Sequence, residues 1–112
     1  MDEARARKLL QEERAEVARL LRGAEEAAEE DLAQDDGPQD YGDAAEPLSA
    51  EGEDENVAGT LRERLEAIDR ALERLDDGTY GRSVHSGQPI PGDRLEADPA
   101  ADLTIEEARA RR

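Results

Sequence analysis

The apolar residues between Val57 and Leu75 constrain the fold of this chain more than any other feature of its sequence. Their successive spacings are 4, 4, 3, 4 and 3 residues, a heptad-like pattern typical of a helix that packs along a second helix. The positions that carry the pattern are Val57, Leu61, Leu65, Ile68, Leu72 and Leu75. Since such a helix has only one narrow apolar stripe, the pattern predicts a partner helix that covers it.

The partner helix is predicted near the N-terminus, from about Asp2 to Gln34. This segment is rich in Ala, Glu, Arg and Leu and contains no Pro and one Gly, a composition that favours helix. Leu10, Val17 and Ala24 recur seven residues apart and give the segment one apolar face. The change from Leu to Ala along this face predicts that less apolar surface is buried towards its C-terminal end.

Helix-breaking residues separate the two predicted helices. Between about residues 35 and 52 the sequence reads DDGPQDYGDAAEPLSAEG, in which Gly37-Pro38, Gly42 and Pro47 favour a turn region with at most short helical turns. The order helix, turn, helix predicts a long antiparallel two-helix coiled-coil hairpin over residues 1–77, with an acidic tip loop at about 35–52.

The scarcity of bulky apolar residues excludes a large globular core. Only 36% of the residues are hydrophobic, and there is no Phe or Trp.

A net charge of −16 argues against direct binding of nucleic acid, because a phosphate backbone attracts Lys and Arg. The absence of Cys excludes disulfides and thiolate metal sites. No apolar run is long enough for a membrane span and the N-terminus lacks a signal-peptide pattern, so we expect a cytoplasmic protein, monomeric when free.

Charge is unevenly distributed along the predicted hairpin. From Gly23 to Leu61 there are 14 acidic residues and no Lys or Arg. One interpretation is a well-solvated surface. The other is a charged probe that enters a basic cavity of a partner. The sequence alone leaves both open.

The C-terminal section, residues 78–112, has a different character, with several Gly and Pro residues followed by TIEEARARR. Thr104 and Glu107 have the spacing of a capping box, in which each side chain bonds the backbone N–H of the other residue. Acidic residues fall in the first turn and Arg residues in the last, as the helix dipole favours. The section therefore predicts a loop-rich globular end and a short terminal helix.

This section, GTYGRSVHSGQPIPGDRLEADPAADLTIEEARARR, resembles the zinc-finger end of the DksA/TraR family of transcription regulators. The family pattern reads approximately G-x-Y/F-G-x-C-x-x-C-G-x-x-I-x-x-x-R-L-E-A-x-P-x-A-x-x-C-x-x-C. Eleven positions match it in one register without a gap: Gly78, Tyr80, Gly81, Gly87, Ile90, Arg94, Leu95, Glu96, Ala97, Pro99 and Ala101. The resemblance implies a mainly α fold, a hairpin with a small zinc-finger-like end.

The four cysteine positions of that pattern are the main departure from the family. They fall on Ser83, Ser86, Thr104 and Glu107. Because zinc needs thiolate or imidazole ligands at most of its four positions, we predict that these residues bind no metal. His85 lies between the first two positions, and we interpret it as a surface histidine.

Other contacts must then replace those of the metal. We expect Thr104 and Glu107 to cap the terminal helix, and Ser83 and Ser86 to hydrogen-bond the turn that the first cysteine pair would hold. An apolar cluster against the base of the hairpin is expected to help. Its predicted members are Val84, Ile90, Leu95, Leu103 and Ile105.

Extending the same register backwards places the D-x-x-D-x-A motif of the family's hairpin tip on this chain. Asp40, Asp43 and Ala45 match it, within the predicted tip loop. The resemblance implies that these residues contact the partner. The alternative is that Asp40 and Asp43 are ordinary turn residues, because Asp readily bonds its own backbone.

The resemblance also implies a function. Family members dock their globular end at the rim of the RNA polymerase secondary channel, formed by the core β and β′ subunits, and the tip reaches towards the active site. Some share a site for the alarmone ppGpp with the polymerase. The basic residues of that site fall here on Ala67, Asp98 and Ala108, so we expect no ppGpp site in this chain.

Two other classes of function compete with transcription regulation. An acidic coiled-coil adaptor would keep the fold without the polymerase activity. An enzyme is not expected, since the chain has no Cys, one His and no phosphate-binding Gly-rich loop, and its acidic loop offers no pocket to perturb a carboxyl pKa. Calcium binding at Asp35-Asp36-Gly37 is not expected either, because the spacing departs from an EF-hand loop.

Overall fold

The computed structural model describes residues 1–34 and 45–111, and the side chains of residues 1–29 and 56–111. Four helices follow in order: α1 (Glu3–Gln34), α2 (Ala45–Asp77), α3 (Gly92–Ala97) and α4 (Ile105–Ala110). The described residues contain no strand, only an isolated antiparallel bridge between Arg82 and Pro89. The fold is therefore mainly α, as predicted, and none of the helices in these ranges is long and apolar enough to cross a membrane.

The second helix begins at Ala45, earlier than the sequence suggested. Residues 45–52, expected in the tip loop, are helical. Pro47 lies in the first turn of α2, where backbone N–H groups have no intrahelical acceptor, so its missing N–H costs no helical hydrogen bond. Residues 35–44, which make up the rest of the predicted tip loop, lie outside the described residues.

The chain forms two compact units, Met1–Ala15 with Leu65–Arg112, and Glu16–Arg64. In the first unit α1 and α2 run antiparallel. Arg7 Nη2 of α1 lies 2.8 Å from Asp76 Oδ1 of α2. Later in α1 and earlier in α2, Arg14 Nε lies 2.7 Å from Asp69 Oδ1. In the second unit Arg62 pairs with Glu25 in the same antiparallel sense. The two helices thus form the antiparallel hairpin expected from their heptad pattern.

The apolar stripes of α1 and α2 meet in the core of the first unit. Leu10 and Ile68 are fully buried there. The other buried residues that α1 and α2 contribute to this unit are Ala6, Ala71 and Leu75. In the second unit Val17 and Ala58 are buried, whereas Leu20 and Val57 are exposed. The core there is thin, because Ala contributes little apolar area to it.

The C-terminal part of the first unit has a small core of its own, formed by Ile90, Leu95 and Ala101 with Met1 and Tyr80 packed against it. Of the apolar cluster predicted from the sequence, Ile90, Leu95 and Leu103 are buried. The prediction was wrong for two members. Val84 is 60% exposed and Ile105 is 43% exposed, because Val84 lies in a surface turn and Ile105 begins a helix that has no buried residue.

Candidate functional site

The first pair of former zinc-ligand positions lies in a tight turn. Ser83 donates its backbone N–H to the Gln88 carbonyl (2.8 Å), and Gly87 donates its own to the Ser83 carbonyl (2.9 Å). Gly81 and Gly87 have φ of 86° and 76°, in the left-handed region that Gly adopts at little cost. Ile90 N–H bonds the Gly81 carbonyl (2.8 Å) and closes the turn.

The Ser83 hydroxyl holds this turn from within. Its Oγ accepts the backbone N–H of His85 at 3.0 Å and that of Ser86 at 3.1 Å, and the residue is 5% exposed. Two backbone donors that a metal-bound thiolate would otherwise engage are thereby satisfied. This confirms the turn-stabilising contact predicted for Ser83.

The second pair forms the predicted capping box at the start of α4. Thr104 N–H donates to Glu107 Oε1 (2.8 Å), and Glu107 N–H donates to Thr104 Oγ1 (3.3 Å). These bonds satisfy backbone donors of the first turn, which have no acceptor within the helix. A helix of only six residues depends on such local contacts, since none of its residues is buried.

The two pairs meet at the carboxylate of Glu107. This group accepts a hydrogen bond from the Ser83 hydroxyl, one from the Thr104 backbone N–H and one from the Ser86 hydroxyl. In that order, these bonds lower the pKa of Glu107 from 4.5 to about 2. From the sequence alone the serine pair and the capping box were expected to act separately. The signal for their convergence is that an ionised carboxylate can accept hydrogen bonds from several donors at once. We call Ser83, Ser86, Thr104 and Glu107 the Glu107 cluster.

The donor set of the Glu107 cluster does not fit zinc. Three hydroxyls and one carboxylate replace the thiolates that a structural zinc site requires. The carboxylate oxygens already accept hydrogen bonds from the protein, and the His85 backbone rather than its imidazole contacts Ser83. Within the described ranges, no group of three or more His, Cys, Asp and Glu residues is placed to hold a metal ion. That the protein is free of zinc stays a prediction.

The R-L-E-A-x-P segment connects three parts of the first unit. Arg94 Nε donates to the Leu103 carbonyl at 2.8 Å, next to the capping box. Glu96 accepts three hydrogen bonds from Arg5 of α1, at 3.0 and 3.3 Å from Nε and at 3.0 Å from Nη2. The bonds from Arg5 lower the pKa of Glu96. The matched motif is therefore structural here, because it joins α1, α3 and the segment leading to α4.

Tyr80 and Arg74 lie together at the end of α2. Tyr80 donates its hydroxyl to the Pro99 carbonyl at 2.7 Å, and burial raises its pKa. Arg74 is half-buried, with Nε and Nη2 inaccessible to solvent. Burial lowers the pKa of its guanidinium, and the negative charge of Asp102 opposes this effect. The sequence gives no signal for burial of Arg74, because the heptad pattern marks only apolar positions.

The structure describes one residue of the predicted tip motif and all three residues at the predicted alarmone positions. Asp40 and Asp43 lie outside the described residues, and Ala45 is the first residue of α2. Ala67 on α2, Asp98 after α3 and Ala108 on α4 are half-buried in the first unit. Asp98 Oδ1 accepts the Ala100 N–H at 3.2 Å, so its carboxylate shapes the loop after α3.

A helical hairpin followed by a small end that hydrogen bonds hold together is the class of protein that this architecture defines. No family model matches the chain. The fold is similar to that of the transcription factor DksA2 from Pseudomonas aeruginosa, with a TM-score of 0.81 and 28% identity, covering 97% of this chain and 81% of that one.

Two curated bacterial proteins match part of the sequence. General stress protein 16O of Bacillus subtilis is 49% identical over 53 residues, 47% of this chain and 32% of that protein. The RNA polymerase-binding transcription factor DksA of Caulobacter vibrioides is 44% identical over 45 residues, 40% of this chain and 32% of that protein. The matches thus span about a third of each curated relative. The chain is a DksA/TraR-like protein, a variant without the zinc-finger cysteines.

Proposed function

We propose that this protein regulates transcription by binding core RNA polymerase, with its hairpin tip in the secondary channel and directed towards the active site. The observation that carries this proposal is the similarity to the transcription factor DksA2 over 97% of the chain at a TM-score of 0.81. The partial match to a DksA named for binding RNA polymerase supports the same partner. The β and β′ subunits form the contact surface in this proposal, and no catalytic group is required.

The charge of the hairpin suits such a partner. The stretch from Gly23 to Leu61 contains no Lys or Arg, so it approaches a basic surface without like-charge repulsion. Asp40, Asp43 and Ala45 are the proposed contact residues of the tip. The first two supply carboxylates that alter the electrostatics near the polymerase active site, while Ala45 leaves room for close approach.

The tip residues are tested by replacing both carboxylates with isosteric amides. Asp40→Asn with Asp43→Asn should weaken the effect on open-complex lifetime while leaving affinity for core polymerase within about twofold, because most of the interface lies elsewhere. Asp35→Asn with Asp36→Asn removes the same charge from the same loop and is the matched control. Equal transcriptional effects of the two double variants would contradict the specific role of Asp40 and Asp43.

The position of the tip is tested by a photo-crosslinker at Tyr41. In the complex with purified polymerase, crosslinks should map to the walls of the secondary channel. A second crosslinker at Lys8, in the first unit, should map outside the channel. If a stable complex forms and Tyr41 crosslinks only to the outer surface, the secondary-channel mechanism is wrong although polymerase binding stands.

We further propose that the chain forms no ppGpp site with the polymerase. Ala67, Asp98 and Ala108 offer no positive charge to a phosphate group at the corresponding positions. With a polymerase that lacks its other alarmone sites, ppGpp titration should leave the transcriptional effect of this protein unchanged. An increase in that effect would overturn this part of the proposal.

An adaptor that binds another protein is the second candidate. The observation that favours it is the combined replacement of the four zinc ligands and of the three basic alarmone positions. A pull-down under conditions where a DksA retains polymerase separates the two functions. Recovery of another partner without polymerase subunits would favour the adaptor.

A further inference from the structure

A salt bridge ties the beginning of α1 to α3. Arg5 Nε lies 3.0 Å from Glu96 Oε1 and 3.3 Å from Oε2, and Arg5 Nη2 lies 3.0 Å from Glu96 Oε2. Two nitrogens of the guanidinium thus face both oxygens of the carboxylate. This fork geometry fixes the relative orientation of the two side chains as well as their distance. We call this contact the Arg5–Glu96 bridge.

The geometry of the Arg5–Glu96 bridge distinguishes it from the bridges that join α1 to α2. Arg7 meets Asp76 through Nη2, and Arg14 meets Asp69 through Nε. A contact through one nitrogen sets a distance but not a plane. The Arg5 and Glu96 side chains are 58% and 45% exposed, so water and salt screen their contribution to global stability. What the bridge contributes is therefore the orientation of α3.

A second contact with the beginning of the chain lies at the other end of α3. Met1 packs against the small core of the C-terminal part. Gly92 is the first residue of α3, and a Cβ on it would lie 3.6 Å from the Met1 nitrogen. Glu96 lies one turn further along the helix. Because α3 is held near both of its ends, it cannot pivot about either contact alone.

The helix α3 in turn holds the segment that leads to α4. Arg94 belongs to the same short helix, and its Nε donates to the Leu103 carbonyl at 2.8 Å. Leu103 directly precedes Thr104, the N-cap of α4. The orientation of α3 on α1 therefore sets where the Glu107 cluster lies relative to the first turns of α1.

We propose that Arg5 and Glu96 are positioning residues for the action of this protein on RNA polymerase. The bridge keeps α1, α3 and the segment before α4 in a single arrangement, as supporting contacts do around a functional site. This inference rests on the proposed function, although neither side chain contacts the polymerase in it. Loss of the bridge should therefore change the transcriptional effect without unfolding the chain.

The test compares single charge reversals with the combined swap. Arg5→Glu and Glu96→Arg each place like charges at the bridge, and the double variant restores opposite charges in exchanged positions. Each single variant should raise amide hydrogen exchange in residues 3–8 and 92–97 about fivefold or more, and reduce the effect on open-complex lifetime by a similar factor. The double variant should return both to within about threefold of wild type. Thermal melting shows whether each variant keeps its fold.

A conservative variant separates the fork geometry from the charge. Arg5→Lys keeps the positive charge but offers a single nitrogen, so it should recover only part of the protection from exchange. Full wild-type protection in Arg5→Lys would show that charge alone is sufficient and would overturn the inference.

The matched control is the Arg14–Asp69 pair, which has similar exposure and joins α1 to α2 rather than to α3. Arg14→Glu should leave the exchange of residues 92–97 and the transcriptional effect within about twofold of wild type. Equal changes in Arg14→Glu and Arg5→Glu would count against a specific role of the Arg5–Glu96 bridge.

The outcomes distinguish this inference from the proposed function. If the wild-type chain alters open-complex lifetime and both single reversals do so equally well, Arg5 and Glu96 are not positioning residues and the proposed function stands. If the single variants lose the effect and the swap does not restore it, the pairing is not the cause and the inference is again overturned. If the wild-type chain does not bind polymerase, the proposed function fails and this inference with it.

Discussion

At the scale of single residues, Glu107 does by hydrogen bonding what a metal ion does by coordination. Its carboxylate gathers donors from Ser83, Ser86 and Thr104 around one negative charge, the reverse of a zinc ion that gathers thiolates around a positive one. The bonds to the ionised form are charge-assisted and stronger than neutral ones. Glu107, at the fourth former zinc-ligand position, thus gives Ser83, Ser86 and Thr104 a shared hydrogen-bond acceptor.

The pKa of Glu107 makes the stability of this end dependent on pH. Its value of about 2 in the folded chain lies below the ordinary value of 4.5, so the cluster stabilises the folded state fully above pH 4.5. That stabilisation is lost as the pH falls from about 4.5 to about 2. Glu107→Gln should be less stable than wild type at pH 7 in urea denaturation, and the gap should narrow below pH 4.5 and close as the pH reaches about 2.

The neighbouring residue supplies the control for this prediction. Glu106 also lies in the first turn of α4 but is exposed. Glu106→Gln should therefore follow the wild-type pH profile. A gap between wild type and Glu107→Gln that stays constant from pH 7 to pH 2 would show that the lost stability is not linked to this carboxylate.

Glycine positions give a second test at this scale. A Cβ on Gly59 of α2 would meet no heavy atom within 4 Å, so Gly59→Ala should stabilise the chain by about 0.5–1 kcal/mol through helix propensity. Gly78 has equally open surroundings but a φ of 78°. Gly78→Ala should destabilise by about 1–2 kcal/mol, because an L residue is strained there. Urea midpoints at constant m-value measure both changes.

At the scale of elements, the pairing of α1 with α2 depends on few large side chains. Leu10 and Ile68 are the largest fully buried ones, and alanines fill much of the remaining interface. The exposed ion pairs along these helices add little, because solvent and salt screen them. Burial of the few branched side chains therefore dominates the stability of the hairpin.

Truncation of Ile68 tests this dependence. Ile68→Ala removes a fully buried side chain and should cost about 2–5 kcal/mol, measured by chemical denaturation. Val57 belongs to the same heptad series but is 53% exposed, so Val57→Ala should change stability by about 0.5 kcal/mol or less. Similar losses for the two variants would indicate that Val57 is covered in solution.

The features that the sequence predicted are those decided locally. The heptad series located α2, and the spacing of Thr104 and Glu107 located the cap of α4, because both depend on residues within a few positions of one another. Burial of Val84 and Ile105 was wrongly predicted, since it depends on which face of a short element meets the core. The convergence of Ser83 on Glu107 escaped prediction because it joins two segments through tertiary contact.

At the scale of the whole molecule, the two units hold different parts of the candidate sites. The first unit contains the Glu107 cluster together with Ala67, Asp98 and Ala108. The acidic stretch from Gly23 to Leu61 falls within the residue range of the second, Glu16–Arg64.

Metal removal tests the whole molecule. Incubation with EDTA should leave the melting temperature unchanged, and elemental analysis of the purified chain should find no stoichiometric zinc, because the Glu107 cluster provides no suitable ligand set. A four-cysteine DksA treated in parallel is the positive control. A fall in melting temperature that added zinc reverses would show that this chain uses a metal after all.

The side chains that join α4 to the Ser83–Ser86 turn use only oxygen and nitrogen atoms. Peroxide oxidises thiolates and chelators withdraw the ions that thiolates hold, but neither acts on a hydroxyl or a carboxylate. The polypeptide itself supplies every atom of these contacts between the Ser83–Ser86 turn and α4. We therefore expect their assembly to need neither a supply of metal nor a reducing compartment.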